Sequence, residues 1–221
     1  MLEMNSTPVL RRVKHGYTSG ARSLASRSVT RLARTRITPN VLTATGVSLC
    51  VVAAILVPFE NRADTLLVYW LAAVIFVAGS LLDILDGALA RVGGKSTPFG
   101  AFIDSTTDRV GEGAMLAAIA LVFSRHGEDW AVVLAVAAVV GSFLVSYTRA
   151  RAEALGLRGD VGLGSRAERV VLITAGLVFA PWGGLPWAIL ALAVTAWLTV
   201  VQRVLHVRKQ LSGGISGIDQ R

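Results

Sequence analysis

The sequence has little cysteine, little histidine and little charge. Cys50 is the single cysteine, which excludes an intramolecular disulfide, and because it lies in an apolar run we expect it to pack rather than to react. Charged residues make up 16% of the 221 residues and hydrophobic residues 53%, with a mean hydropathy of +0.61. This balance excludes an ordinary soluble domain and is typical of a membrane protein. The first 37 residues contain no apolar stretch of the kind found in a signal peptide.

Six apolar segments follow, separated by short polar turns or by turns rich in glycine and proline. Each has the length of a membrane-spanning helix. The predicted fold is therefore an all-α integral membrane protein with six transmembrane helices, at residues 38–57, 66–91, 99–123, 130–154, 165–181 and 187–207. We expect one transmembrane domain at 38–209 and a flexible tail, rich in glycine and serine, at 210–221.

A basic arm, 1–37, precedes the first segment. Its residues 11–36 include eight arginines and lysines and no acidic residue, and Arg27, Arg31 and Arg34 share one helical face. We interpret it as a juxtamembrane arm with an interfacial amphipathic helix on an anionic leaflet. The alternative is a disordered basic tail.

The distribution of basic residues predicts the topology. Nearly all of them lie in the N-terminal arm, the second and fourth connecting loops and the C-terminal end, whereas the loops on the opposite side contain only Arg62 and Arg125. The positive-inside rule then places both termini in the cytoplasm, as in a multi-pass protein of the plasma membrane. The net charge of +8 favours an anionic membrane surface or substrate over nucleic acid as a partner.

Four aspartates border two of the apolar segments. Asp83 and Asp86 end the second segment at i,i+3 spacing, and Asp104 and Asp108 begin the third at i,i+4 spacing, so each pair shares a helix face. Because a carboxylate in a membrane segment is costly, the four require a cation, a cavity or one another. Oxygen ligands suit Mg²⁺ or Mn²⁺, and four carboxylates suit two ions that clamp a phosphate or diphosphate. One carboxylate can also accept a proton from an attacking hydroxyl. A polar network between helices is the alternative.

The stretch from Asp83 to Asp108 reads D-x2-D-G-x2-A-R-x8-G-x3-D-x3-D, and it resembles the signature of the CDP-alcohol phosphotransferase family. The resemblance implies transfer of a substituted phosphate from a CDP-linked donor to an alcohol, with release of CMP, in a homodimeric enzyme. It implies that Asp83, Asp86, Asp104 and Asp108 ligate the metals and that Asp108 also deprotonates the acceptor hydroxyl. It further implies that the nucleotide of the donor contacts Asn40, Thr43, Gly87, Ala90, Arg91 and Gly100.

Arginines at the ends of the fourth, fifth and sixth segments form a second group at the cytoplasmic level. Because guanidinium groups bind phosphate through paired hydrogen bonds, we interpret them as a pocket for an acceptor that already carries a phosphate. Contact with lipid head groups is the alternative. The stretches S-Y-x-R-A-R-A-E and R-x-E-R resemble the prokaryotic phosphatidylinositol phosphate synthases, especially the actinobacterial ones. This implies an acceptor pocket formed by Ser146, Arg149, Arg151, Arg166, Arg169 and Arg203.

The leading hypothesis is therefore a transferase that uses CDP-diacylglycerol and inositol 1-phosphate. A phosphatidylglycerophosphate synthase that uses glycerol 3-phosphate is the nearest alternative, because only the acceptor pocket would differ. A divalent-cation transporter could use the same carboxylates, but the outer halves of the segments, such as 116–122 and 132–139, carry almost no polar group. A basic membrane scaffold would leave the aspartates unexplained.

Overall fold

The computed structural model describes residues 39–61, 64–92 and 97–215. Short 3-10 turns, Val57–Phe59 and Ala180–Trp182, follow the first and fifth helices, and no strand occurs within the described ranges. The predicted all-α fold is confirmed, and each helix contains most or all of one predicted apolar segment. The described residues form the α-helices α1 (Pro39–Leu56), α2 (Thr65–Val92), α3 (Pro98–Arg125), α4 (Asp129–Ala154), α5 (Arg166–Phe179) and α6 (Leu185–Ile215).

The helices α3 and α5 begin at side-chain caps. The hydroxyl of Thr97 accepts a hydrogen bond from the backbone N–H of Gly100 at 3.0 Å, which caps α3. The backbone N–H of Ser165 donates to the carboxylate of Glu168 at 2.7 Å, as in the capping box that starts many helices. The second cap fixes Arg166 as the first residue of α5.

The helices pack in a closed order, α1–α2–α5–α6–α4–α3, and α3 returns to α1. Although α2 and α3 are consecutive in the sequence, they scarcely touch each other, because α1 lies between them. The interior is mainly apolar, with fully buried side chains such as Phe76, Met115, Ile119 and Leu192. The helices α2 and α3 therefore both pack against α1.

Glycines allow α1 to approach both of its neighbours closely. A Cβ atom at Gly79 of α2 would lie 2.7 Å from the carbonyl oxygen of Gly46 and 2.8 Å from the sulfur of Cys50, both in α1. A Cβ atom at Gly111 of α3 would lie 3.0 Å from the Cβ of Cys50. Cys50 is buried between these two glycines and packs in the core, as the sequence predicted. Close helix contacts through small residues are common in membrane proteins.

Within the part of the chain that the structure describes, four helical stretches are long and apolar enough to cross a membrane: Asn40–Phe59, Thr65–Ala90, Asp129–Ala154 and Leu185–Ser212. The helix α3 carries ionisable residues in its first turns, and α5 has only 14 residues. Neither helix is therefore both long enough and apolar enough to count as a candidate membrane span. Large apolar side chains such as Val74 and Val133 lie exposed on the outside of the bundle. The chain therefore has the build of a membrane protein, and the crossing of the bilayer by all six helices stays a prediction.

The last helix is longer than the sequence predicted. The prediction ended it at residue 207 and assigned 210–221 to a flexible tail, whereas α6 continues to Ile215. The reason is a tertiary contact: the side-chain amide of Gln210 donates to the carbonyl of Arg158 at 2.8 Å and accepts from its backbone N–H at 3.1 Å. These two hydrogen bonds hold the extra turns of α6 against the loop between α4 and α5. The predicted N-terminal arm lies outside the described residues.

Candidate active site

Three of the four aspartates meet where α2, α1 and α3 come together. Asp83, Asp104 and Asp108 each present a carboxylate oxygen within 4.8 Å of the others. Asp83 is 5% exposed, and Asp104 and Asp108 are half-buried. The predicted convergence of two carboxylate pairs is thus correct for these three residues.

Asp86 lies outside this group, one turn along α2. Its carboxylate accepts a hydrogen bond from the hydroxyl of Thr43, which belongs to α1, and both residues are buried. Thr43 and Asp86 thereby connect the segment predicted to line the nucleotide site with the signature itself. Through this contact α1, which contributes none of the four aspartates, holds one of them in place.

Arg166 places a positive charge beside the clustered carboxylates of Asp83, Asp104 and Asp108. Its Nη1 donates to Asp83, and its Nη2 lies 2.7 Å from a carboxylate oxygen of Asp108. The second contact lacks the alignment of a hydrogen bond, so it is a charge–charge contact. An oxygen-only set of three close carboxylates that attracts a guanidinium fits a hard divalent cation such as Mg²⁺ or Mn²⁺. Asp83, Asp104 and Asp108 are the residues that would hold it.

A cavity of about 530 Å³ opens beside the carboxylates. Asp104 and Asp108 form one wall of it, and a polar and basic group from α4, α5 and α6 forms the others: Ser146, Arg149, Arg166, Arg169 and Arg203. Five of the six residues predicted for the acceptor pocket therefore line one cavity. The sixth, Arg151, is exposed and is not part of the lining. Residues two positions apart on a helix point in nearly opposite directions, so Arg149 and Arg151 cannot both face the cavity.

The arginines around the cavity differ in their partners. Arg169 is buried and binds the carboxylate of Glu112. Arg203 is also buried and donates to the backbone carbonyls of Val145 and Val161, the latter at 2.9 Å. Arg149 is exposed and pairs with Glu153 on the next turn at 2.8 Å. Arg166 and Arg149 are therefore the more accessible charges, and Arg169 and Arg203 are held in place by the fold.

The residues predicted for the donor nucleotide are spread along three helix ends. Asn40 is exposed in the first turn of α1, and Gly87 and Ala90 are half-buried on α2, beyond Asp86. Gly100 lies in the first turn of α3, where its N–H serves the Thr97 cap. The side chain of Arg91 lies outside the described residues.

Comparison with known proteins identifies the family of this chain. Residues 36–205 match the family model described as CDP-alcohol phosphatidyltransferase. The chain belongs to this family. Membership confirms the resemblance seen in the signature from Asp83 to Asp108, and it favours a transferase over a cation transporter.

Individual family members are similar over most of the chain. A phosphatidylinositol phosphate synthase of Mycolicibacterium smegmatis is 41% identical over 193 residues, which cover 83% of each protein. A crystal structure of the phosphatidylinositol phosphate synthase of Mycobacterium tuberculosis with CDP-DAG bound has a TM-score of 0.73 and 31% identity, covering 84% of this chain and 94% of that one. A structure of the same enzyme with manganese and citrate has a TM-score of 0.73 and 32% identity, covering 83% of this chain and 88% of that one.

Glu112 and Asp160 are among the residues near the site that the sequence analysis did not single out. Glu112 follows Asp108 by one further turn on the same face of α3, and its position as another acid in an apolar helix was the signal available to find it. The loop between α4 and α5 contributes Asp160 to the cavity lining. A hydrogen bond from its own backbone N–H, together with the nearby guanidinium of Arg158, lowers the pKa of Asp160. No spacing rule connects this loop residue to the cavity.

An apolar groove of about 710 Å³ runs between α2 and α5 on the outside of the bundle. Arg166 lies at its edge and also lines the cavity, so the groove and the cavity share this residue. The walls of the groove consist mainly of aliphatic side chains: Val77, Leu81, Ile84, Val170, Val171 and Val178. The site of this phosphatidyltransferase family member therefore borders both a polar cavity and an apolar surface.

Proposed function

We propose that the protein is a phosphatidylinositol phosphate synthase. It transfers the phosphatidyl group of CDP-diacylglycerol to inositol 1-phosphate and releases phosphatidylinositol phosphate and CMP. The observation that carries this proposal is the position of Asp104 and Asp108 in the wall of a cavity that also contains Arg149, Arg166 and Arg203. Carboxylates suited to a metal and guanidinium groups suited to a phosphate face one space, as a reaction between a diphosphate and a phosphorylated alcohol requires.

The carboxylates form the metal-binding part of the proposed site. Asp83, Asp86, Asp104 and Asp108 would hold two divalent ions, Mg²⁺ or Mn²⁺, which would neutralise the diphosphate of the donor. This assignment is supported by the close approach of three of these side chains and by the manganese complex of the Mycobacterium tuberculosis relative. Asp86 keeps its hydrogen bond from Thr43, which orients the carboxylate from the side of α1.

Asp108 is the proposed general base. It lies in the cavity wall, where the hydroxyl of the acceptor would be bound, and it is also one of the three clustered aspartates. It would take the proton of the hydroxyl as the hydroxyl oxygen forms a bond to the lipid-side phosphorus. The bond between that phosphorus and the oxygen of CMP breaks in the same displacement.

The two halves of the donor would lie on different sides of the carboxylates. Its cytidine nucleotide would contact the helix ends that carry Asn40, Thr43, Gly87, Ala90, Arg91 and Gly100. One acyl chain would occupy the apolar groove between α2 and α5, because the groove begins at Arg166, next to the reacting phosphate. The bound CDP-DAG of the Mycobacterium tuberculosis relative supports such a donor.

The acceptor would bind in the cavity, with its phosphate near Arg149, Arg166, Arg169 and Arg203 and its ring near Ser146. Arg151 is left out of this proposal because it does not line the cavity. We place the protein in the plasma membrane as a homodimer, with its active site and both termini on the cytoplasmic side. The catalytic domain corresponds to residues 38–209, and the basic arm at 1–37 would contact anionic lipid.

The test is an acceptor-substitution assay. Purified protein with CDP-diacylglycerol and Mg²⁺ should release CMP when inositol 1-phosphate is added, and the Asp108→Asn variant should not. Turnover with glycerol 3-phosphate as the acceptor, but not with inositol 1-phosphate, would identify a phosphatidylglycerophosphate synthase instead. Absence of CMP release with either acceptor would disprove the transferase assignment.

A further inference from the structure

Glu112 and Arg169 form a buried ion pair one helical turn beyond Asp108, next to the three clustered aspartates. Nε and Nη2 of Arg169 donate to the two carboxylate oxygens of Glu112 at 2.8 and 3.0 Å. Such a paired arrangement fixes the plane of a guanidinium group as well as its position. Both side chains are buried, and Glu112 is not one of the three clustered carboxylates. The family signature ends at Asp108 and does not include this residue.

The pair connects two parts of the site. Arg169 belongs to the wall of the 530 Å³ cavity, whereas Glu112 belongs to a narrow cleft that Asp83 and Asp108 also line. Nη1 of Arg169 makes a third hydrogen bond, to the carbonyl of Gly164 at 2.8 Å, just before α5. A guanidinium has five N–H groups, so two remain without a partner among the described residues.

We propose that Glu112 is a positioning residue for the acceptor. By holding the guanidinium of Arg169 in one orientation, it directs the two remaining N–H groups of Arg169 towards the phosphate of the acceptor. This inference rests on the proposed function, because it takes the acceptor to be a phosphorylated alcohol. An arginine without Glu112 would keep its charge but lose the fixed plane that paired binding of a phosphate needs.

Steady-state kinetics test the positioning role. Glu112→Gln should raise the KM for inositol 1-phosphate about tenfold, the loss expected of one charge-assisted hydrogen bond, while the KM for CDP-diacylglycerol stays within about twofold. Glu112→Asp, which keeps the charge, should recover part of the loss. Glu168→Gln is the matched control, because Glu168 caps the same helix as Arg169 without touching it. Because glutamine at this position also completes a capping box, the variant should leave the Tm, the position of Arg166 and both KM values nearly unchanged.

A binding measurement separates this inference from the proposed function. Inorganic phosphate should raise the Tm of the wild-type protein and of Glu168→Gln, and it should raise the Tm of Glu112→Gln much less. If wild-type protein shows this Glu112-dependent shift but does not turn over inositol 1-phosphate, the acceptor assignment is wrong and the positioning role holds. If Glu112→Gln does not fold, Glu112→Asp and Arg169→Lys serve for the same comparisons.

Three results would overturn the inference. Equal increases in both KM values would mean that Glu112 has a general structural role. Weaker Mn²⁺ binding by Glu112→Gln, with an unchanged KM for the acceptor, would make it part of the metal site instead. A wild-type Tm that does not respond to phosphate would show that no phosphate site exists for Glu112 to arrange.

Discussion

Replacing Arg166 by glutamine should make the protein more dependent on metal. The guanidinium contacts carboxylate oxygens of Asp83 and Asp108 that a divalent ion would also use. Removing one partner of a fully buried ion pair destabilises a protein by about 3–5 kcal/mol. Since the side chain of Arg166 is 30% exposed, solvent screens part of this, and we expect about 2 kcal/mol. In EDTA, that loss corresponds to a Tm lower by about 4–8 °C for a protein of this size.

The same change should strengthen metal binding. Because the guanidinium no longer competes for the oxygens, the same ~2 kcal/mol appears as a roughly 30-fold lower Kd for Mn²⁺. A Tm titration with Mn²⁺ in detergent measures both effects, since the stabilisation grows with the ratio of free ion to Kd. Arg149→Gln is the control, because Arg149 pairs with exposed Glu153 and touches none of the aspartates. Unchanged Mn²⁺ affinity in Arg166→Gln would refute the competition.

Three further substitutions test contacts around the site. Thr43→Val removes the hydrogen bond to the buried carboxylate of Asp86 and should cost about 1–3 kcal/mol; it should raise the KM for CDP-diacylglycerol, and normal donor kinetics would count against the orienting role. Gly79→Ala places a methyl group 2.7 Å from a carbonyl oxygen of α1 and should lower the free energy of unfolding by about 1–3 kcal/mol; an unchanged urea or thermal midpoint would contradict the close packing. Gln210→Ala removes two hydrogen bonds to the backbone of Arg158 and should lower the free energy of unfolding by about 1 kcal/mol. Amide hydrogen exchange in the loop between α4 and α5 should become faster. Unaltered protection would show that other contacts hold the loop.

Local periodicity accounts for what the sequence could predict. The i,i+3 and i,i+4 spacings place each aspartate pair on one helix face whatever the tertiary structure, and apolar length predicts the helices themselves. Tertiary contacts account for the rest. The end of α6 depends on Gln210 meeting a loop some fifty residues earlier in the chain. The different positions of Arg149 and Arg151 follow from helix geometry, but the choice between them depends on which face of α4 meets the cavity.

The closed order of the helices also means that the signature by itself does not complete the site. The signature is contiguous in the sequence, yet α2 and α3 scarcely touch and meet through α1, while Arg166 arrives only with α5. The first three helices already carry the four aspartates of the signature, but they lack Arg166, whose guanidinium contacts Asp83 and Asp108. Until α5 joins the bundle, these two carboxylates lack the guanidinium that offsets their charge. The arrangement of the carboxylate site therefore depends on the closed ring of helices and not on the contiguous signature alone.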